Sequence, residues 1–115
     1  MKYMLLLCDG EGTPMGPEER QEDFARVGEW WMKHSSAGTI VSGEQLQPPN
    51  TATTVRLNGG RPVVTDGPFI EAKESIGGFA IVDLPDLDAA LELAKTWPLG
   101  TGIVEVRPLV THDDH

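Results

Sequence analysis

Asp66, Glu71, Lys73 and Glu74 place three carboxylates and an ammonium within a few residues of one another, with Gly77-Gly78 just beyond. Such a cluster suits a small polar or acidic molecule. A lysine supplies the cation that an anionic group needs, a carboxylate held in a cavity moves a proton, and glycines let backbone approach a ligand closely. Asp66 is the candidate acid or base; Phe69, Glu71, Lys73 and Glu74 are candidate ligand contacts. Glu71 and Lys73 share one side of an extended segment and Glu74 takes the other. A structural reading stands beside each of these. Aspartate ahead of Gly67-Pro68 fixes a turn by accepting backbone amides, and charges in connecting segments are usually solvated or paired.

Arg56, Glu105 and Arg107 fall on predicted strands. There they serve either as ligand contacts facing a cavity or as exposed ion pairs, which contribute little. His34 is a candidate for proton transfer because an unperturbed imidazole titrates near neutrality. Its place near the end of a helix also fits a capping or partly buried role, since an imidazolium suits the negative end of the helix dipole. The tail Thr111-His112-Asp113-Asp114-His115 has metal-ligand types, but ordering a terminal segment costs chain entropy, so no metal site is expected. Cys8, in an apolar run, reads as an inert small hydrophobe. The chain has no glycine-rich phosphate loop, zinc spacing or nucleophile elbow, and no cofactor is expected.

The elements that must position these residues are legible in order. Residues 2–8 form a continuous apolar run, as expected of a central strand covered on both faces. After a glycine-rich loop, Pro17-Glu18-Glu19 opens a helix, with proline in its first turn and carboxylates at the positive dipole end. The helix should run to about Ala37 and stop at Gly38. Phe24, Val27, Trp30, Trp31 and His34 recur at spacings of three and four, which predicts a face packed on a sheet. Residues 39–43 read as a short strand. Residues 53–57 and 61–65 flank Asn58-Gly59-Gly60 as a hairpin. Residues 78–82 form another buried strand, Asp86 caps a second helix ended by Pro98 and Gly100, and residues 102–107 form a last strand. This is a βαββαβ ferredoxin-like α+β unit with an inserted hairpin. Both helices cover one face of the antiparallel sheet, and a second copy is the economical cover for the other, which predicts a homodimer.

At 115 residues the chain holds one domain, 1–108, with a tail from 109 to 115. A net charge of −9 without a basic cluster argues against nucleic acid. No apolar stretch is long enough to span a bilayer. The N-terminal run ends in an acidic turn rather than a cleavage site, and a single cysteine forms no internal disulfide, so the cytoplasm is expected.

Six ordered segments carry a resemblance. They are residues 1–6, Ala37-Gly38 with Ser42-Gly43-Glu44-Gln45-Leu46, Thr53-Thr54-Val55-Arg56, the run from Thr65-Asp66-Gly67-Pro68-Phe69 to Gly78-Phe79, and Val104-Glu105-Val106-Arg107-Pro108. Together they resemble the YCII-related family, in the subgroup marked by Asp-Gly-Pro-Phe. The resemblance implies a dimeric α+β barrel and no agreed activity. It leaves two readings open. One is a cofactor-free enzyme doing acid–base chemistry on a small organic, anionic molecule in a dimer cavity. The other is a non-catalytic ligand-binding or regulatory module, linked in some bacteria to an alternative sigma factor. Related proteins also carry a His and Asp pair associated with catalysis; the subgroup has an apolar residue in place of that histidine, so the resemblance does not extend to His34.

Overall fold

A computed structural model describes residues 1–9, 17–47, 49–67, 75–99 and 102–111. The described chain runs β1 (Lys2–Asp9), α1 (Pro17–Ser36), β2 (Ile40–Gln45), a 3₁₀ turn (Pro49–Thr51), β3 (Thr53–Asn58), β4 (Arg61–Asp66), β5 (Ser75–Asp83), α2 (Leu87–Ala94) and β6 (Ile103–Pro108). Four strands pair antiparallel in the order β2-β5-β1-β6, the ferredoxin-like arrangement expected from the element order. β3 and β4 form a separate two-stranded sheet.

β1 is central because its apolar run satisfies its backbone from both sides, with Leu5 opposite Ala80 on one flank and Val106 on the other. Its alternate residues Tyr3, Leu5 and Leu7 are buried with Ala80 and Val82 of β5, Ile40 of β2, Trp30 of α1 and Ala90 and Leu93 of α2. That cluster is the core, and it lies wholly on the helix side of the sheet.

The local rules hold at the element ends. Asp86 accepts from the Ala89 amide at 2.9 Å and caps α2. α1 closes with Thr39 N–H donating to the His34 carbonyl and Gly38 N–H to that of Ser35, both at 3.0 Å, a pairing that uses the last free carbonyls of the helix. Gly59 and Gly60 take φ values of 60° and 91°, which lets a two-residue turn match the twist of β3 and β4. β2 runs on to Gln45 and β5 begins at Ser75, both beyond the expected limits. The polar and glycine residues there read as loop, but pairing of Gln45 with Gly78 and of Cys8 with Ile76 extends the ladders. Leu109 still donates to the Lys2 carbonyl at 2.9 Å, so backbone pairing carries past residue 108.

One expectation about α1 is corrected. Phe24 is 66% exposed rather than packed on the sheet, whereas Trp30 is buried and Val27, Trp31 and His34 are partly so. The helix spans about 30 Å. Upstream of Val27, among residues whose side chains are described, only Asp23 is partly covered, and it is ion-paired with Arg26. The described side chains before Val27 therefore contribute nothing to the core. No helix among the described residues is long and apolar enough to cross a membrane.

Candidate functional site

Trp30 organises the described part of the helix side. Its indole is buried, meets the rings of Trp31 (5.6 Å), Trp97 (5.0 Å) and His34 (5.1 Å) edge to face, and donates to the Thr96 hydroxyl at 2.8 Å. The Thr96 hydroxyl in turn donates to the Leu93 carbonyl at 2.6 Å. Edge-to-face contact places the positive ring edge against a neighbour's negative face. Together with the two hydrogen bonds, it sets the orientation of Trp31 and Trp97.

Those two indoles wall a cleft of about 320 Å³ at one end of the sheet. Val27 and Trp31 come from α1, Leu7 from β1, and Gln45, Leu46 and Gln47 from β2 and the residues after it. Ile76, Gly77 and Gly78 come from the start of β5, and Trp97 and Leu99 from the segment after α2. Two backbone features shape it. Register slips between Leu7 and Cys8, leaving Gly77 as an extra residue at the rim, where its carbonyl accepts from Leu46 N–H at 2.8 Å. The Trp31 ring lies directly on the backbone of Gly43. A Cβ there would stand 2.6 Å from the ring and 2.5 Å from the Phe79 carbonyl oxygen, so only glycine permits the approach.

The cleft has the size and character of a small-molecule site, mainly apolar and aromatic with a few polar groups. Among the described residues its polar side chains are the carboxamides of Gln45 and Gln47, each able to donate and accept. Each can pair with a hydrogen-bonding group of a bound molecule.

The residues singled out from the sequence occupy three other places. Asp66 and Arg56 are exposed on the hairpin, Asp66 opposite Thr53 and Arg56 opposite Val63. The bonds at that corner run through Gly67, whose amide donates to the Ala52 carbonyl and whose carbonyl accepts from the Thr54 hydroxyl, each at 2.7 Å. Glu105 and Arg107 lie on the helix-free face of β6, opposite Leu6 and Met4, and pair with each other along the strand at 2.8 Å. His34 stands against Trp30 at the end of α1. Burial, and then the positive charge of Lys33, lower its pKa below the ordinary histidine value, which favours the neutral imidazole over a charged cap. Phe69, Glu71, Lys73 and Glu74, the residues His112 to His115, and Pro68 of the signature lie outside the described residues. Among the described residues no group of three His, Cys, Asp or Glu side chains is placed to hold a metal.

Trp31, Trp97, Gln45 and Gln47 were not among the residues singled out from the sequence. The spacing of Trp31 on α1 predicts packing alone, and neutral amides carry no charge signal. The pointer that was available is the pairing of three tryptophans with a glycine inside a strand, which marks a close ring-to-backbone approach.

An antiparallel four-stranded sheet with two helices on one face and a lined cleft at its end defines a ferredoxin-like α+β protein. The YCII-related domain profile matches residues 1–112, and the chain belongs to the YCII-related family. It is similar to an uncharacterized protein of Rhizobium meliloti (strain 1021), with 39% identity over 117 residues covering 97% of this chain and 94% of that protein.

Proposed function

We propose that this protein is a homodimeric binder of a small, flat, uncharged organic molecule, held between Trp31 and Trp97 and read by the Gln45 and Gln47 carboxamides. The observation that carries this reading is the 320 Å³ cleft, whose two aromatic walls are held in place by the buried Trp30. Acid–base chemistry needs a titrating group at the ligand. The described lining offers carboxamides, indoles and backbone, so binding rather than turnover is the activity it supports.

The homodimer rests on the other face of the sheet. Met4, Leu6, Phe79 and Ile81 share that face through their register and are only partly covered, and Ile103 beside them is 43% exposed. Two such faces stacked about 10 Å apart would bury one another.

The probe for the cleft is 2-quinolone, a neutral bicyclic lactam. Saturation-transfer NMR on the purified protein should show transfer from indole protons to the probe. Trp31→Ala and Gln45→Ala, each checked for intact fold by circular dichroism, should abolish or weaken that transfer at least tenfold. Equal transfer to the wild type and to Trp31→Ala would refute the site.

A further inference from the structure

The hairpin of β3 and β4 is an amphipathic ribbon whose apolar side is covered by none of the described residues. In the observed register Val55 faces Val64 and Leu57 faces Pro62, so these four share one side, while Arg56, Arg61, Thr54, Thr65 and Val63 share the other. Val55 is 54% exposed, Leu57 83% and Val64 65%, and every residue of β4 is exposed. A two-stranded ribbon is at best marginally stable alone in water. This one is closed at its own base by the two bonds of Gly67, to Ala52 and Thr54, and it belongs to a flattened molecule. The chain measures 52 × 44 × 20 Å with a radius of gyration of 16.3 Å, against about 13 Å for a compact chain of this length.

We infer that the hairpin is an arm that reaches onto a second copy of this chain, where Val55, Leu57, Pro62 and Val64 extend the interface begun by the helix-free face of the sheet. The inference rests on the homodimer proposed above and adds what completes it.

Area supports this occupant. With strands about 4.8 Å apart and about 3.4 Å of rise per residue, the four-stranded face offers a footprint of about 430 Å², or about 860 Å² counted on both partners. That falls short of the 1,000 to 1,200 Å² or so that a specific interface needs. Each arm adds about 200 Å² and covers as much of its partner, so two arms counted on both partners bring the total to about 1,660 Å², within the stable range. Two-fold symmetry supplies both arms at once, because a contact made by one copy is repeated by the other.

Charge points the same way. Arg56 and Arg61 against Asp66 make residues 53–66 net +1, in a chain whose net charge is −9. On the helix-free face Glu105 is paired with Arg107, and Glu44 on β2 is a carboxylate that a basic arm can meet, with a long arginine stem reaching it from the outer side of the ribbon.

The test is sedimentation velocity over a concentration series for the wild type, for the double variant Leu57→Ser/Val64→Ser, and for Val63→Ser on the opposite side of the arm. The wild type should be a dimer. The double variant should raise the dissociation constant by about tenfold to a hundredfold or more, from the apolar area it removes from the contact. Val63→Ser should leave it within about threefold. Leu57 and Val64 are exposed in the single chain, so the double variant should keep its fold, and circular dichroism checks this. As a second readout, amide protons of residues 53–66 in the wild type should exchange more slowly as concentration rises through the dissociation constant. A dimer that the double variant leaves unchanged, with arm exchange independent of concentration, would overturn the arm while the dimer stands. A wild type that stays monomeric would overturn both, and so would arm protection seen only with a different protein.

Discussion

Leu5 and Leu6 are neighbours in one strand with the same side chain, and they meet different fates. Leu5 is wholly buried under the helices with Ala80 and Val82, while Leu6, pointing to the other face beside Phe79 and Glu105, is only partly covered. The same contrast separates the two halves of the molecule. On the helix side, α1, α2 and the three indoles close a core and leave a lined cleft. On the other side an apolar stripe is only partly covered, and the apolar side of the hairpin is exposed as well. A strand with an unbroken apolar run is built for two covers, and the described residues provide one in full.

Replacing each leucine sharpens this contrast. Leu5→Ala should destabilise the folded chain by about 2–5 kcal/mol, because the cavity it leaves is closed in by packed neighbours. Leu6→Ala should cost under about 1 kcal/mol in dilute, monomeric conditions and act mainly on dimer affinity. Urea unfolding at two protein concentrations separates the effects, and an equal loss for both at low concentration would erase the distinction between the faces.

A second break falls on the helix side at Gly43. An added methyl must displace the Trp31 ring or the Phe79 carbonyl, so Gly43→Ala should cost about 1–3 kcal/mol and reduce probe binding in the cleft. Normal stability with normal binding would show that Trp31 does not depend on this contact. Asp86→Ala, which removes the carboxylate from the Ala89 amide, should lower stability by about 1 kcal/mol without touching the cleft.

The smallest effect concerns pH. The folded pKa of His34 lies below its unfolded value of 6.5, so between the two the unfolded chain binds more protons. Its contribution is therefore full above pH 6.5 and lessens as pH falls through that window. His34→Gln should flatten this part of the stability curve. An unchanged slope in the variant would assign it to other groups.

The architecture was largely readable from residue order because its signals are local. The run at residues 2–8, the Gly59-Gly60 turn, the stop at Gly38 and the Asp86 cap each act within a few residues. What lay hidden needs tertiary distance. Trp31 and Trp97 are far apart in the chain and both meet Trp30, and nothing local says that β2 and β5 run on through glycines to line one side of a cleft. Phe24 fits the helical stripe but lies before Val27, where the described side chains contribute nothing to the core, a limit that periodicity does not mark. Charge patterning drew attention to Arg56, Glu105 and Arg107. In the fold these face solvent or each other, because a strand's outward positions favour charge whether or not a ligand is near.

Isotope-filtered NMR on a mixture of ¹³C-labelled and unlabelled protein tests most directly whether one face of β1 waits for a second copy. Intermolecular contacts should appear at the methyls of Met4, Leu6 and Ile81 and be absent from those of Leu5 and Leu7. Contacts at Leu5 or Leu7, or none at Leu6 when the protein is dimeric, would contradict the account.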